Sequence, residues 1–294
     1  MKAFESYHPL VLFAYFATVI LFSMFYTHPI YLAVSLISSI TLMGVLKGVL
    51  FLRKTILISL PIFLVIAISN PIFSHKGVTP LFYVNYNPIT LESVIYGLAM
   101  ATMIVSVIFW FHCYSEIMTS DKFICLFGSV VPAIALVISM TLRLVPKLKD
   151  QLKLISNSQK TLGMYVTSGS IIKRLKSGIR ILSILVTWAL ENAIDTADSM
   201  KARGYGLKPR SRYSIFSFSK RDGFLLSIIA AFSLITIWGE VSNNYYFHYY
   251  PYISDITPSF LSIFLYSCYF LLMILPVIVE TKEEIKWRLS ISKI

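Results

Sequence analysis

The sequence predicts an all-α integral membrane protein, with about six transmembrane helices plus long cytoplasmic or interfacial helices. Three observations carry this. Of 294 residues, 56% are hydrophobic and only 14% are charged, whereas about a quarter of the residues in a soluble domain are charged. Mean hydropathy is +0.73. Several runs of 17 or more residues hold no charge, and roughly 20 helical residues cross a bilayer core about 30 Å thick. The alternating ten-residue strands of an outer-membrane barrel are absent from the pattern.

In chain order, five segments read as spans: residues 9–26, 30–50, 55–73, 93–112 and 256–279. A sixth, 223–239, is shorter and must borrow interfacial residues. The run NNYYFHYYPY that follows it (243–252) suits the headgroup depth, where amphipathic rings settle. Segment 9–26 is too long for a signal-peptide core and is expected to stay as a span. The domain reading is 1–116, transmembrane helices one to four; 117–222, a cytoplasmic helical region with interfacial apolar segments; and 223–294, the last transmembrane helices with a basic cytoplasmic tail.

The cations orient this topology. Of 26 Lys and Arg, 17 lie from Lys122 to Arg221 and four follow the last span. With the N-terminus inside, Lys76 is the one cation left outside, so the positive-inside rule puts both termini in the cytoplasm. Two apolar segments remain, 123–142 and 181–190. As a spanning hairpin they would carry the nine cations from Arg143 to Arg180 outside. They are therefore expected to lie in the inner interface or against apolar protein, with a break at Pro132.

The basic region predicts two helices. Pro146 marks the start of the first. Leu148, Leu152, Ile155 and Leu162 form its apolar stripe, and Gly163 offers a stop. The second runs over about 171–203, with Leu175, Ile179, Leu182, Val186, Ala189, Ala193, Ala197 and Met200 at three-and-four spacing. At 1.5 Å per residue such a helix reaches about 50 Å. Lys173, Arg174, Lys176 and Arg180 crowd its N-terminal end, where the helix dipole disfavours them and anionic headgroups compensate. Lys201 and Arg203 sit in the last turn, Gly204 and Gly206 can cap it, and Pro209 prevents resumption. Arg203, between Ala202 and Gly204, fits both a solvated terminal cation and a guanidinium that enters a groove on another protein and meets a carboxylate.

Conventional chemistry is missing. No Walker A pattern occurs, so no nucleotide or other cofactor is expected on the chain itself, and it is not read as an enzyme. His8, His28, His75, His112 and His248 form no metal-spaced pair, and Cys113, Cys125 and Cys268 read as small apolar residues. No acidic residue lies mid-span, as an ion or proton relay would require. Thr27–Pro29, Asn70–Pro71 and Asn87–Pro88 mark tight loops. The basic balance reflects topology, and no nucleic acid is implied.

Three stretches in order carry a resemblance: NPIFSHKGVTPLFYVNYNPITLESVIYG (70–97), SMTLRLVPKL (139–148) and ADSMKARGYG (197–206). On them, and over nearly the whole chain, the sequence resembles the transmembrane T component of energy-coupling factor transporters, bacterial vitamin and metal importers of the ABC type. The resemblance implies a multi-pass protein of the bacterial cytoplasmic membrane whose two coupling helices each end in a short Arg-centred motif. Each motif docks on one of two cytoplasmic ATPase subunits, which bind the ATP, and motion is conveyed to a separate membrane S component that binds the substrate. Ala202, Arg203 and Gly204 match the second motif. Thr161, Leu162 and Gly163 stand at the first, where Leu replaces the Arg and Lys160 substitutes in part, so the resemblance carries over a contact position there and not a salt bridge. Segments 123–142 and 181–190 are the implied S-component surface. Competing classes are a conventional ABC permease, whose Glu-Ala-Ala…Gly coupling loop is not found, and a membrane-bound enzyme or scaffold without a transport role.

Overall fold

The computed structural model describes residues 3–74, 76–84, 87–128, 131–164, 170–207, 216–242, 247–255 and 259–291. A His-Pro pair starts each of the first two helices. A 3-10 turn at Phe4–Ser6 leads into α1 (Pro9–Phe25), and α2 (Pro29–Lys47) follows. Both open on His-Pro: His8 Nδ1 accepts from the Leu10 amide at 3.2 Å and His28 Nδ1 from the Ile30 amide at 3.3 Å. Pro at the first helical position gives up an amide that would go unpaired, and the imidazole takes the next one. Thr27–Pro29 is thus a helix start and not only a tight loop.

α3 (Val49–Phe73) begins before the predicted span at 55 and holds Pro71 inside its last turn, so Asn70–Pro71 is helical, not a loop. A two-stranded antiparallel hairpin follows, β1 (Pro80–Val84) with β2 (Asn87–Thr90), so Asn87–Pro88 is strand. The hairpin is tied to the head of α4 (Leu91–Ile117). Buried Glu92 accepts from the amides of Val78 at 3.4 Å and Thr79 at 3.3 Å, and Thr90 Oγ1 donates to the Lys76 carbonyl at 2.7 Å. α5 (Ser120–Gly128), α6 (Pro132–Thr161), α7 (Ile171–Ala202), α8 (Lys220–Val241) and α9 (Phe260–Ile291) complete the order.

The predicted helix start at Pro146 is wrong. α6 begins at Pro132 and runs 30 residues, with Pro146 in its interior. A proline there removes one amide and frees the carbonyl four residues back. Pro146 and Leu142 both lie on the exposed surface of α6, so that carbonyl is not buried without a partner, and the helix continues. The break expected at Pro132 separates α5 from α6.

Among the described residues, six helices are long and apolar enough to cross a membrane, by length and composition only: α2, α3, α4, α7, α8 and α9. α1, with 17 residues, is shorter. At 1.5 Å per residue it covers about 25 Å, a mismatch that local bilayer thinning accommodates. The protein is a multi-pass, all-α membrane protein.

The chain forms two compact units, residues 1–123 with 216–294, and residues 124–215. In the first, α4 packs on α1, α2 and α3, α2 also packs on α9, and α8 packs on α1 and α9. With no water to bury against, helices in lipid associate through small residues and interhelical hydrogen bonds. Trp110 Nε1 of α4 donates to Ser35 Oγ of α2 at 3.0 Å, which lies 2.6 Å from Ser23 Oγ of α1. Tyr15 Oη of α1 donates to the Met273 carbonyl of α9 at 3.0 Å. Cys113 and Cys268 are buried, as small apolar residues would be. In the second unit α6 packs on α7, with Ile155 and Ile181 buried.

Candidate functional site: two matched helix ends

The ends of α6 and α7 are built alike. A helix leaves its last carbonyls unpaired, and a glycine that takes a left-handed conformation lets the next amides fold back onto them. At α6, Gly163 has φ of 77° and its amide reaches the Lys160 carbonyl at 3.0 Å, while the Met164 amide reaches Gln159 at 3.0 Å. At α7, Gly204 has φ of 82°, its amide reaches Lys201 at 2.9 Å, and the Tyr205 amide reaches Met200 at 3.0 Å. These are two Schellman motifs, bond for bond.

Leu162 and Arg203 hold the same place, the last residue before the glycine. Their backbones agree as well, φ −86° and ψ 9° at Leu162 against φ −81° and ψ 5° at Arg203. Thr161-Leu162-Gly163 and Ala202-Arg203-Gly204 are therefore geometric equivalents. Lys160, Thr161, Leu162, Ala202 and Arg203 are exposed. Leu162 is 66% accessible, a large value for a leucine that closes a helix.

Local polar contacts leave both central side chains pointing out of any pairing. Thr161 Oγ1 donates to the Ser158 carbonyl at 2.7 Å, and Lys201 lies 3.8 Å from Asp198, an exposed pair one helical turn apart. Such a surface pair contributes little. Among the described residues, no ion pair involves Arg203, and no hydrogen bond joins one triplet to the other. Gly206 is also left-handed; Pro209 lies outside the described residues, as do His75 and Lys293.

The flank of α7 is the other unusual surface. Leu175, Ile179, Leu182 and Val186, the first half of the predicted stripe, are exposed, as is Ile171 before it, and Ile181 beside that stripe is buried. With Arg174 and Gly178, Ile171, Leu175, Ile179 and Leu182 line a shallow groove. On α6, Ile134 and Val137 of segment 123–142 are exposed too. Arg180 donates to Met164 Sδ at 2.7 Å, which ties the cap of α6 to α7. The signal for these open faces was in the sequence as uncharged runs set among cations.

No group of three or more His, Cys, Asp or Glu suited to a metal ion occurs among the described residues.

The comparisons with known proteins agree with this architecture. The profile of the CbiQ family, described as cobalt transport protein, matches residues 5–215. Among relatives, the energy-coupling factor transporter transmembrane protein EcfT of Leuconostoc gelidum is 36% identical over 116 residues, 38% of this chain and 43% of that protein. The EcfT of Lactobacillus helveticus is 42% identical over 98 residues, 33% of this chain and 35% of that protein. The EcfT of Staphylococcus aureus is 28% identical over 190 residues, 59% of this chain and 69% of that protein. The chain thus spans less than half the length of the Leuconostoc and Lactobacillus relatives it matches. The family match takes in both capped triplets and every helix but the last two, and this protein belongs to the CbiQ cobalt transport protein family, a family that embraces the energy-coupling factor transmembrane component.

Proposed function

We propose that the protein is the transmembrane coupling subunit of an energy-coupling factor importer of the ABC type. It conveys motion from two cytoplasmic ATPase subunits to a substrate-binding S component for vitamin or micronutrient uptake. The observation that carries this reading is the matched pair of helix ends. Two long helices of one unit stop in the same backbone motif and present one residue each, Leu162 and Arg203, at the same position.

In this reading each end is a pin for one ATPase. Arg203, with Ala202 and Gly204 leaving its sides open, meets a carboxylate in a groove of the second ATPase. Thr161, Leu162 and Gly163, helped by Lys160, contact the first through an apolar tip. ATP is bound and hydrolysed by the ATPases, and the chain needs no cofactor of its own. As the ATPases change spacing, α6 and α7 carry the displacement, and the S component reorients in the bilayer against the exposed apolar faces of residues 123–142 and 181–190. The concentration of cations in 122–221 supports a reading in which this unit and both termini lie on the cytoplasmic side of the bacterial cytoplasmic membrane, with Lys173, Arg174, Lys176 and Arg180 near anionic headgroups.

Arg203→Glu tests it. Close charge pairs at interfaces couple by roughly 1.5–7 kcal/mol, so the variant inserts normally but loses ATPase subunits on purification, and uptake of a panel of radiolabelled B vitamins is abolished. Undiminished uptake, or a wild-type protein that copurifies with no ATPase, overturns the proposal.

A further inference from the structure

Residues 4–8, a stretch that the proposed function leaves unused, are gripped from three sides. The Phe4 amide donates to Glu280 Oε2 of α9 at 2.9 Å. Lys122, 4% accessible, donates from Nζ to the Glu5 carbonyl at 2.8 Å and to the Ile117 carbonyl at 2.9 Å, and the Glu5 carboxylate stands 3.7 Å away. Arg221 donates to Ser6 Oγ at 3.0 Å and its guanidinium lies 4.3 Å from the Tyr7 ring centre. The His8 amide donates to buried Asp222 at 3.0 Å, and the His8 ring meets Phe218 edge-on at 5.4 Å. Asp222 in turn closes a capping box with Ser219 at the head of α8.

The positions of these partners in the chain give the cluster its meaning. All belong to the first unit. Lys122 stands two residues before Ile124, where the second unit begins, and Phe218, Arg221 and Asp222 follow closely on Ile215, where it ends. The chain therefore leaves for the unit that carries both helix ends, and returns from it, through two roots fastened to one short segment. The fastenings are costly to break. A buried ammonium with carbonyl partners loses them all at once if it is removed, and burial holds the Lys122 pKa below the ordinary lysine range, with Glu5 opposing.

We propose that residues 4–8 form a clasp that fixes both roots of the second unit to the transmembrane bundle, with Lys122 positioning the outgoing root and Arg221 with Asp222 the returning one. The proposal rests on the coupling-subunit reading for its consequence. A displacement imposed on α6 and α7 reaches the bundle only if the roots do not yield; with a loosened clasp the ATPases turn over and the motion is absorbed at the roots.

The test uses the full chain, purified with its partners and placed in nanodiscs, in the variants Lys122→Met, Lys122→Arg and Arg221→Gln. Hydrogen exchange is followed at the Phe123 amide, which bonds to Thr119, and the Gly223 amide, which bonds to Ser219. A charge-assisted hydrogen bond biases such an opening by about tenfold or more. Lys122→Met is expected to speed exchange by about tenfold at Gly223 as well as at Phe123, and Arg221→Gln to speed it at Phe123 as well as at Gly223. Lys122→Arg restores both. In sealed proteoliposomes carrying the same complexes, vitamin uptake per complex falls by a similar factor while ATP hydrolysis persists. A purely local role moves only the root that was mutated, and that result, or unchanged exchange at both, overturns the clasp. If Lys122→Met does not accumulate, Arg221→Gln applies the same criterion from the other root. Linked exchange in a protein that copurifies with no ATPase leaves the clasp standing and removes the coupling-subunit reading.

Discussion

Replacing Gly163 and Gly204 by alanine, one at a time, separates the backbone of the helix ends from their chemistry. Both glycines are left-handed, at φ 77° and 82°. An L-residue held there loses about 1–2 kcal/mol to the clash between its Cβ and the following carbonyl. Around Gly163 a Cβ meets nothing within 4 Å, so the backbone penalty acts alone. At Gly204 it comes 3.2 Å from Leu207 Cδ1, the end of a flexible side chain that can give way, so the two penalties are nearly equal. A shift of 1–2 kcal/mol raises the opening of each cap by roughly 5- to 30-fold. Hydrogen exchange reads this at four amides: Gly163-position and Met164 for one cap, Gly204-position and Tyr205 for the other. Asparagine tolerates the left-handed region, so Gly163→Asn and Gly204→Asn should keep most of the protection. Exchange unchanged in both alanine variants, or an asparagine variant as open as the alanine one, refutes the argument that left-handed glycine holds the tips. In the proposed complex the alanine variants also retain fewer ATPase subunits, in proportion to the opening.

Leu162→Arg recreates at α6 the residue that α7 presents, on a backbone that already matches. Uptake should be kept or strengthened, as read by the labelled-vitamin assay; total loss argues that this tip docks through an apolar contact that a guanidinium destroys. A pH effect follows from His28, whose Nδ1 accepts from the Ile30 amide, so its Nε2 carries the proton toward Tyr266 Oη at 3.1 Å. Burial lowers the His28 pKa, so the unfolded chain binds the proton more readily. Stability is therefore full above the ordinary histidine value of about 6.5 and falls as pH drops through it toward the lower folded-state value. Thermal unfolding in detergent should weaken below that pH, and His28→Asn, which caps without titrating, should flatten the profile; the same slope in both proteins refutes the assignment.

The long apolar elements were legible because bilayer thickness sets one length and few residue types satisfy it. α1, α2 and α8 match the predicted spans closely for that reason, whereas α9 runs on to Ile291, beyond the predicted end at 279; the ends of α6 and α7 were legible from a single glycine after a periodic run. Pro146 misled because a proline favours the first turn of a helix, and only the exposure of its neighbours shows that an interior position is tolerated. His8 and His28 were overlooked as caps because imidazole is not among the usual N-cap side chains; the repeated His-Pro pair was the available clue. The Ser219-x-x-Asp222 spacing was a local signal for the capping box of α8, but the contacts of Glu92 with Val78 and Thr79, of Lys122 with Glu5 and of Asp222 with His8 had none. Their partners are main-chain groups in other elements, and a backbone amide such as that of Phe4 or His8 leaves no trace in the residue types around it.

The two helix ends also divide labour in a way that bears on how such a protein changes over time. The bonds that turn the chain at both ends run between main-chain groups, with Thr161 Oγ1 to Ser158 and Arg180 to Met164 added at α6, and the conformational duty falls on the missing side chain of Gly163 and of Gly204. The residue beside each glycine is thus under no obligation to the fold. Either tip can carry a guanidinium or an isobutyl group, as Arg203 and Leu162 do, and keep the same outline. Divergence of the two tips toward unlike partners then requires one substitution and no repair elsewhere.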